Sequence, residues 1–146
     1  AAYAYYSQLY FNEAIYELER FLDKYKNHPN TDYAYYLLAI CHYNQIVDEK
    51  KDLGEIIKAK NYFNILINEY PDTDFAEDAQ FKLELIQEIL ASKELYLANY
   101  YLQREKWIPA INRYKNIVND YDTTIFIEEA LHRLVEIYYN LGHRQR

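Results

Sequence analysis

A helical hairpin that recurs along the chain is the feature that most constrains its fold. The clearest copy is residues 97–121, where a polar run at 103–106 separates two apolar stripes with helical spacing. The stripes are Leu97, Ala98 and Tyr101, followed by Ala110, Tyr114, Ile117 and Tyr121. Residues three or four positions apart share one face of a helix, so each stripe predicts a buried face. The recurrence of these spacings predicts a stack of paired helices.

The scarcity of turn-forming residues supports an all-α fold. The whole chain of 146 residues holds only two Gly and three Pro, and these are the residues that tight hairpin turns between strands need. Its hydrophobic content of 51% is enough for a substantial core, and 27% charged residues is ordinary for a globular protein. We therefore expect helices throughout.

The repeat spacing predicts about seven helices, with one helix that is longer than the rest. Residues 1–9 resemble the end of a first helix, and a second stripe starts at Ala14. No helix breaker occurs between Phe75 and Gln103, and Leu97 follows Leu83 by 14 residues, close to four helical turns. We expect one long helix near 74–103, joining two halves of the stack. The chain is predicted to be a single domain, 1–146, with repeats at about 1–30, 31–72 and 73–122 and a partial repeat at 123–142.

Several residues predict where helices begin and end. Pro29 and Pro71 follow apolar stripes and end them, because proline disfavours helix in the residue before it. Asp74 and Glu77 have the spacing of a capping box at the start of the long helix. Gly142 is a predicted C-cap for the last helix. Eight extra residues in the second repeat predict a charged loop at 47–55, which is either functional or a tolerated insertion.

The ionisable residues predict no catalysis, no cofactor and no metal site. The four His residues show no paired metal-ligand spacing, and two Gly residues cannot form a phosphate-binding loop. Sixteen basic against 23 acidic residues give a net charge of −7 without a basic cluster, which disfavours nucleic acid as a partner. The single Cys41 lies in an apolar helical run and is interpreted as a small buried residue.

The repeat resembles the tetratricopeptide repeat. That family has Leu-Ala-x2-Tyr, an Ala nine residues later, an aromatic residue four further on and a Pro at twelve. The best-matching positions are Leu97, Ala98, Tyr101, Ala110 and Tyr114, with Asp122 at the Pro position, and Ala59, Phe63 and Pro71 in the preceding repeat. The resemblance implies a superhelical solenoid whose first helices line a concave groove.

The order of several segments is more specific. The chain contains in succession AYAYY, HPNTDYAYYLLA, YPDTDFAEDA, LANYYLQREKW and INRYKNIVNDYDTT. This succession resembles the BamD family, the lipoproteins of the bacterial outer-membrane β-barrel assembly (Bam) machine. The resemblance implies a periplasmic protein on the outer membrane, held by an N-terminal lipid anchor that precedes this chain. We expect the chain to be a fragment, from the family's second repeat to the first helix of its fifth.

The tetratricopeptide resemblance implies a peptide groove. Its groove-facing positions lie two before, two after and five after the repeat leucine. They correspond here to Tyr3, Tyr6, Tyr36, Ile40, Tyr43, Leu95, Asn99, Leu102, His132, Glu136 and Tyr139. Tyrosines provide large, stiff contacts that suit an extended peptide with aromatic residues. The alternative is that these tyrosines only pack between helices, because 19 of the 146 residues are Tyr.

The BamD resemblance also implies a docking surface on the helix that starts at Trp107. Asn112 and Arg113 match an Asn-Arg pair whose arginine faces an acidic residue of the last POTRA domain of BamA. Trp107 is either part of that surface or a corner residue packed on the long helix. The implied partners are BamA, other Bam lipoproteins and unfolded outer-membrane proteins. Two alternatives remain, a generic periplasmic adaptor with another client and an enzyme-associated or regulatory subunit.

Overall fold

The computed structural model describes residues 2–45 and 53–144, with side chains from Tyr10 onward and up to His143. The described residues form six helices and no strand. The helices are α1 (Ala2–Lys24), α2 (Thr31–Asn44), α3 (Gly54–Glu69), α4 (Asp74–Gln103), α5 (Trp107–Asp120) and α6 (Ile127–Arg144). The predicted all-α class and the long helix at 74–103 are confirmed. Most of the predicted loop at 47–55 lies outside the described residues, and its last two residues begin α3.

The first helix differs from the prediction of two helices in this region. α1 is continuous from Ala2 to Lys24, so the described helices number six rather than about seven. The segment between Tyr10 and Ala14 contains neither Gly nor Pro, and the helix continues through it. A change of apolar stripe does not interrupt the backbone hydrogen bonds of a helix, whereas a missing donor does.

The chain divides into two compact units, Ala1–Ile86 and Gln87–Arg146, with the boundary inside α4. In the first unit α2 packs against α1 and α3. Small residues at the helix contacts, Ala39 and Ala59, are fully buried beside Leu38 and Phe63. Small side chains let helix axes approach closely, which explains the Ala positions in the repeat pattern. That both units form one domain with four repeats stays a prediction.

Within the first unit α2 also lies beside the beginning of α4. The ring of Tyr33 is 5.4 Å from that of Phe75, and Tyr36 lies 5.0 Å from the same ring. Further along both helices, Lys82 Nζ is 5.2 Å from the centre of the Tyr43 ring. Because later residues of α2 contact later residues of α4, the two helices run in the same direction here. Equivalent helices of neighbouring repeats in a solenoid have this arrangement.

The second unit has its own core between α5, α6 and the second part of α4. Its buried residues are Ala98, Ala110, Tyr114, Ile117, Ala130, Leu134 and Ile137. Most of the apolar stripe predicted at 97–121 is therefore buried in one cluster, with Tyr101 and Tyr121 partly buried against it. The prediction of a helical hairpin with two facing stripes is confirmed.

The turns between repeats share a threonine. Thr31, Thr73 and Thr124 each donate their hydroxyl to the carbonyl three residues earlier, at 2.7, 2.8 and 2.6 Å. At α4 the cap is Thr73, whose Oγ1 accepts from the Ala76 N–H at 3.2 Å, so the predicted capping box on Asp74 is wrong by one residue. Gly142 lies within α6 and does not end it, because nothing in that turn requires a positive φ.

Candidate functional site

The predicted docking residues on α5 occupy three different sides of the helix. At 3.6 residues per turn, Trp107, Asn112 and Arg113 are each separated from the others by roughly 100° or more. Trp107 is partly buried against the core of the second unit, which agrees with the corner-packing alternative. Asn112 is exposed and Arg113 is half-buried. A docking role for the three residues stays a prediction.

Arg113 has a charge partner inside the chain. Its Nη1 donates to Glu94 Oε1 at 3.0 Å, linking α5 to α4. The other carboxylate oxygen of Glu94 accepts from Asn116 Nδ2 at 3.2 Å. The side chain of Glu94 is 18% exposed and that of Arg113 is 38% exposed. The cluster is therefore sheltered on the α4 side and open to solvent on the Arg113 side.

Sequence reasoning missed Glu94 and Asn116. One signal could have indicated Glu94, because it lies one turn after Leu90 and one turn before Ala98, both of which are buried. A carboxylate on a buried face needs a hydrogen-bonding partner. The identity of that partner depends on how α5 packs on α4. A local sequence pattern cannot predict this packing. Burial, and secondly the Glu94 carboxylate, raises the pKa of Tyr121 nearby.

In the first unit, two predicted groove residues make firm internal contacts. Tyr36 donates its hydroxyl to Asp78 Oδ2 at 2.8 Å, and burial together with this carboxylate raises the pKa of Tyr36 to about 12. Tyr43 contacts the ring of Phe63 edge-on at 6.3 Å, in addition to its contact with Lys82. Both tyrosines are half-buried, as is Ile40. Tyr3 and Tyr6 lie in α1, but their side chains are outside the described residues.

In the second unit, the predicted groove residues separate into packed and exposed groups. Leu95 and Leu102 pack against the core cluster. Asn99 accepts a hydrogen bond from the hydroxyl of Tyr114, and burial raises the pKa of that phenol. His132 is 72% exposed, and Tyr139 is 66% exposed and stacks on His143 at 5.2 Å.

Glu136 belongs to the exposed group, where it accepts from Arg133 Nη1 at 3.0 Å. With His132 and Tyr139 it forms an exposed polar and aromatic face of α6 in the second unit. That the groove positions of both units form one peptide-binding surface stays a prediction.

In the part of the chain that the structure describes, the remaining candidates for a functional site are metal ligands, the buried His42 and Cys41. No group of three His, Cys, Asp or Glu residues there is arranged to hold a metal ion. His42, at a repeat Tyr position, is buried with Nδ1 at 2.6 Å from Glu55 Oε2, and its ring stacks on Tyr62 at 5.7 Å. Cys41 is half-buried, and burial raises the pKa of its thiol. None of the described helices is long and apolar enough to cross a bilayer.

Comparison with known proteins places this arrangement in a family. The chain is 36% identical over 140 residues to "Outer membrane protein assembly factor BamD" of Caulobacter vibrioides, covering 96% of this chain and 46% of that protein. Proteins of the same name from Rickettsia prowazekii and Neisseria meningitidis serogroup A are 34% and 30% identical. These two alignments cover 97% and 99% of this chain and 56% and 58% of the relatives.

The chain thus spans about half the length of the curated relatives it matches. The shared name of these relatives confirms the resemblance to the BamD family. A family model named YfiO and described as "Outer membrane lipoprotein" matches residues 1–146. The chain belongs to the YfiO family of outer membrane lipoproteins.

Proposed function

We propose that the protein is a non-enzymatic scaffold of the Bam machine that assembles β-barrel proteins of the outer membrane. The observation that carries the proposal is the family match over residues 1–146, together with relatives whose name states a role in outer membrane protein assembly. A stack of helical hairpins supports it further, because solenoids provide extended surfaces for other proteins. The proposed location is the periplasmic face of the outer membrane, with a lipid anchor in the full-length protein.

The proposed partner surface is the solvent-facing side of α5, which would bind the last POTRA domain of BamA. Arg113 supports this assignment because its guanidinium is held by Glu94 while its side chain remains 38% exposed. Arginine is well suited to such a role, since its planar group forms paired hydrogen bonds to a carboxylate. Asn112 lies next to it and is exposed. Trp107 would contribute through packing that holds the start of α5 in place.

The proposed substrates are unfolded outer-membrane proteins, bound at the predicted groove positions. Tyr139 and His132 support this role most directly, because both are exposed on α6. Val135 and Tyr138 on the same helix are 68% and 48% exposed and add apolar area. Tyr36 and Tyr43 are half-buried and contact α4, so each would present less area to a peptide. Extended peptides with aromatic residues fit such a surface.

A binding assay with two probes tests the proposal. The full-length protein is immobilised and offered the purified POTRA domains of its own BamA, then peptides that end in the C-terminal aromatic signal of outer-membrane proteins. We expect both to bind, and Arg113→Glu to weaken POTRA binding by about tenfold or more. Lys58→Glu is the matched control, a basic residue on α3 that is exposed, makes no described ion pair and lies outside the proposed surface.

The outcomes separate the proposal from its closest alternative. Binding of other periplasmic proteins without any binding of POTRA domains would favour a generic adaptor. If the Arg113→Glu and Lys58→Glu variants bind POTRA domains equally well, Arg113 is not part of the docking surface. Peptide binding that is unchanged in Tyr139→Ser would contradict the groove on α6.

A further inference from the structure

The Glu94 carboxylate forms a bridge between two side chains of α5. One oxygen accepts from Arg113 Nη1 at 3.0 Å and the other from Asn116 Nδ2 at 3.2 Å. Arg113 and Asn116 are three residues apart and thus nearly one turn apart on the same helix. A carboxylate held at both oxygens has little freedom to rotate, and it fixes the guanidinium that it contacts. Glu94 therefore determines the direction of the Arg113 side chain.

The bond to Glu94 leaves other N–H donors of the Arg113 guanidinium able to bind a second acceptor. Arginine carries five N–H donors, and within the residues that the structure describes only Nη1 makes a hydrogen bond or ion pair. Glu94 is mostly sheltered, whereas the Arg113 side chain is 38% exposed, so solvent reaches Arg113 more readily than the carboxylate that holds it. A second carboxylate could approach the remaining donors without displacing the first.

We propose that Glu94 is a positioning residue, which holds Arg113 ready for a carboxylate on the surface of the docking partner. The inference rests on the docking role of Arg113 proposed above and adds the residue that prepares it. A free arginine loses rotamer freedom when a partner binds, and this cost falls when the side chain is already held. Asn116 has the supporting role of holding the second oxygen of Glu94.

A competing effect acts in the opposite direction. The negative charge of Glu94 repels an incoming carboxylate and partly neutralises the guanidinium. The two carboxylates would bind different edges of one guanidinium, so each lies nearer to the positive charge than to the other carboxylate, and the attraction exceeds the repulsion. We therefore expect a partner carboxylate to bind Arg113 while Glu94 still holds it.

The test measures binding of the full-length protein to the purified POTRA domains of its BamA at physiological salt. We expect Arg113→Ala to weaken binding about tenfold. Glu94→Ala should weaken it about threefold, because Arg113 remains but is no longer held. The double variant should bind like Arg113→Ala alone, since Glu94 acts through Arg113. The NMR signal of the Arg113 Nε–H should also shift and sharpen toward that of a mobile arginine in Glu94→Ala.

A matched control distinguishes a carboxylate that orients Arg113 from one that only stabilises the fold. Glu88 lies on the same helix, is half-buried, and accepts from the backbone N–H of Ile125 with both oxygens at 3.3 Å. Glu88→Ala removes a carboxylate that binds the backbone at Ile125 and does not contact Arg113, so it should leave POTRA binding unchanged. If Glu94→Ala does not fold, Glu94→Gln keeps one acceptor oxygen and should bind at a level between the wild type and Arg113→Ala.

The results distinguish failure of this inference from failure of the proposed function. No effect of Arg113→Ala would overturn the docking surface and the inference with it. A weak Arg113→Ala variant beside a Glu94→Ala or Glu94→Gln variant that binds as well as or better than the wild type would overturn positioning alone. Additive losses in the double variant would likewise show that Glu94 acts independently of Arg113.

Discussion

Helices α2 and α6 occupy the same place in the repeat, yet they differ in what they bury. Leu38 and Leu134 are equivalent and are both buried, at 0% and 8% exposure. The next position holds a fully buried Ala39 in α2 and a Val135 that is 68% exposed in α6. Residue type would suggest the opposite order, since Val is the more hydrophobic. The neighbouring helices therefore decide burial at this position.

The Tyr position of the repeat shows the same contrast. In α2 it is His42, which is 3% exposed and lies between Glu55 and Tyr62 of α3. In α6 it is Tyr138, which is 48% exposed. α2 packs against α1 and α3 and also contacts α4, whereas α6 packs against α5 and shares the core of its unit with the second part of α4. A repeat motif thus predicts which positions can be buried, and the packing partners select those that are.

The largest expected effect on stability comes from placing a charge at the repeat position held by Ala39 in α2 and by Val135 in α6. Ala39→Asp puts an unpaired carboxylate into the core of the first unit and should destabilise it by about 3 kcal/mol or more. Val135→Asp should change the free energy of unfolding by less than about 0.5 kcal/mol, because Val135 is exposed. Urea denaturation followed by circular dichroism measures both. Similar losses in the two variants would mean that α6 is covered on this side.

The next effect concerns the buried histidine. His42→Ala removes the pair with Glu55 and the stacked contact with Tyr62, and it leaves a cavity, so we expect a loss of about 2 kcal/mol. Tyr138→Ala, at the equivalent position of α6, removes a larger side chain but should cost under about 1 kcal/mol. The same denaturation experiment compares them. A greater loss for Tyr138→Ala would reverse the comparison between the two helices.

A smaller effect depends on pH. Tyr36→Phe removes the hydroxyl that donates to Asp78 and should cost about 1 kcal/mol at neutral pH. The folded pKa of Tyr36 is raised from 10.0 to about 12, so its contribution is fully present below pH 10.0 and is lost as the pH rises to about 12. Thermal unfolding measured across this range should show the wild type approaching the Tyr36→Phe variant. A constant difference across this range would contradict the role of Asp78.

The smallest expected change in stability is at Tyr139. Tyr139→Ser removes an exposed ring whose described contact is the stack on His143, so the free energy of unfolding should change by less than about 0.5 kcal/mol. Its equivalent in α2, Tyr43, contacts Phe63 and Lys82, and Tyr43→Ser should cost more. Calorimetry of both variants checks the order. Because Tyr139→Ser leaves the fold intact, a change in its peptide binding reports on contact alone.

Several parts of this structure could be predicted from the sequence because they depend on local patterns. The helical stripes of 97–121 and the unbroken helix Asp74–Gln103 follow from spacing and from the absence of Gly and Pro, and the start of α5 at Trp107 follows the polar run at 103–106. The continuity of α1 could not be predicted by this rule, because the turn at 104–106 also lacks Gly and Pro and still ends a helix.

The candidate sites were less accessible to such reasoning. The tetratricopeptide resemblance implied that Tyr36 and Tyr139 both line a groove, but Tyr36 donates to Asp78 and Tyr139 is exposed. The BamD resemblance implied a docking role for Arg113 and gave no indication of the Glu94 carboxylate that holds it. These differences arise from contacts between residues 19 or more positions apart, which local spacing does not encode.

The sequence by itself determined the family, the helical class and the faces available for burial, because these follow from local hydrogen bonding, periodicity and residue order. Only the tertiary structure decided which faces are covered and which charges are paired. Burial depends on the neighbours of a helix, as Ala39 and Val135 show. The direction of Arg113 depends on a carboxylate from another helix. For both reasons, the packing of the helices determines which residues this protein exposes.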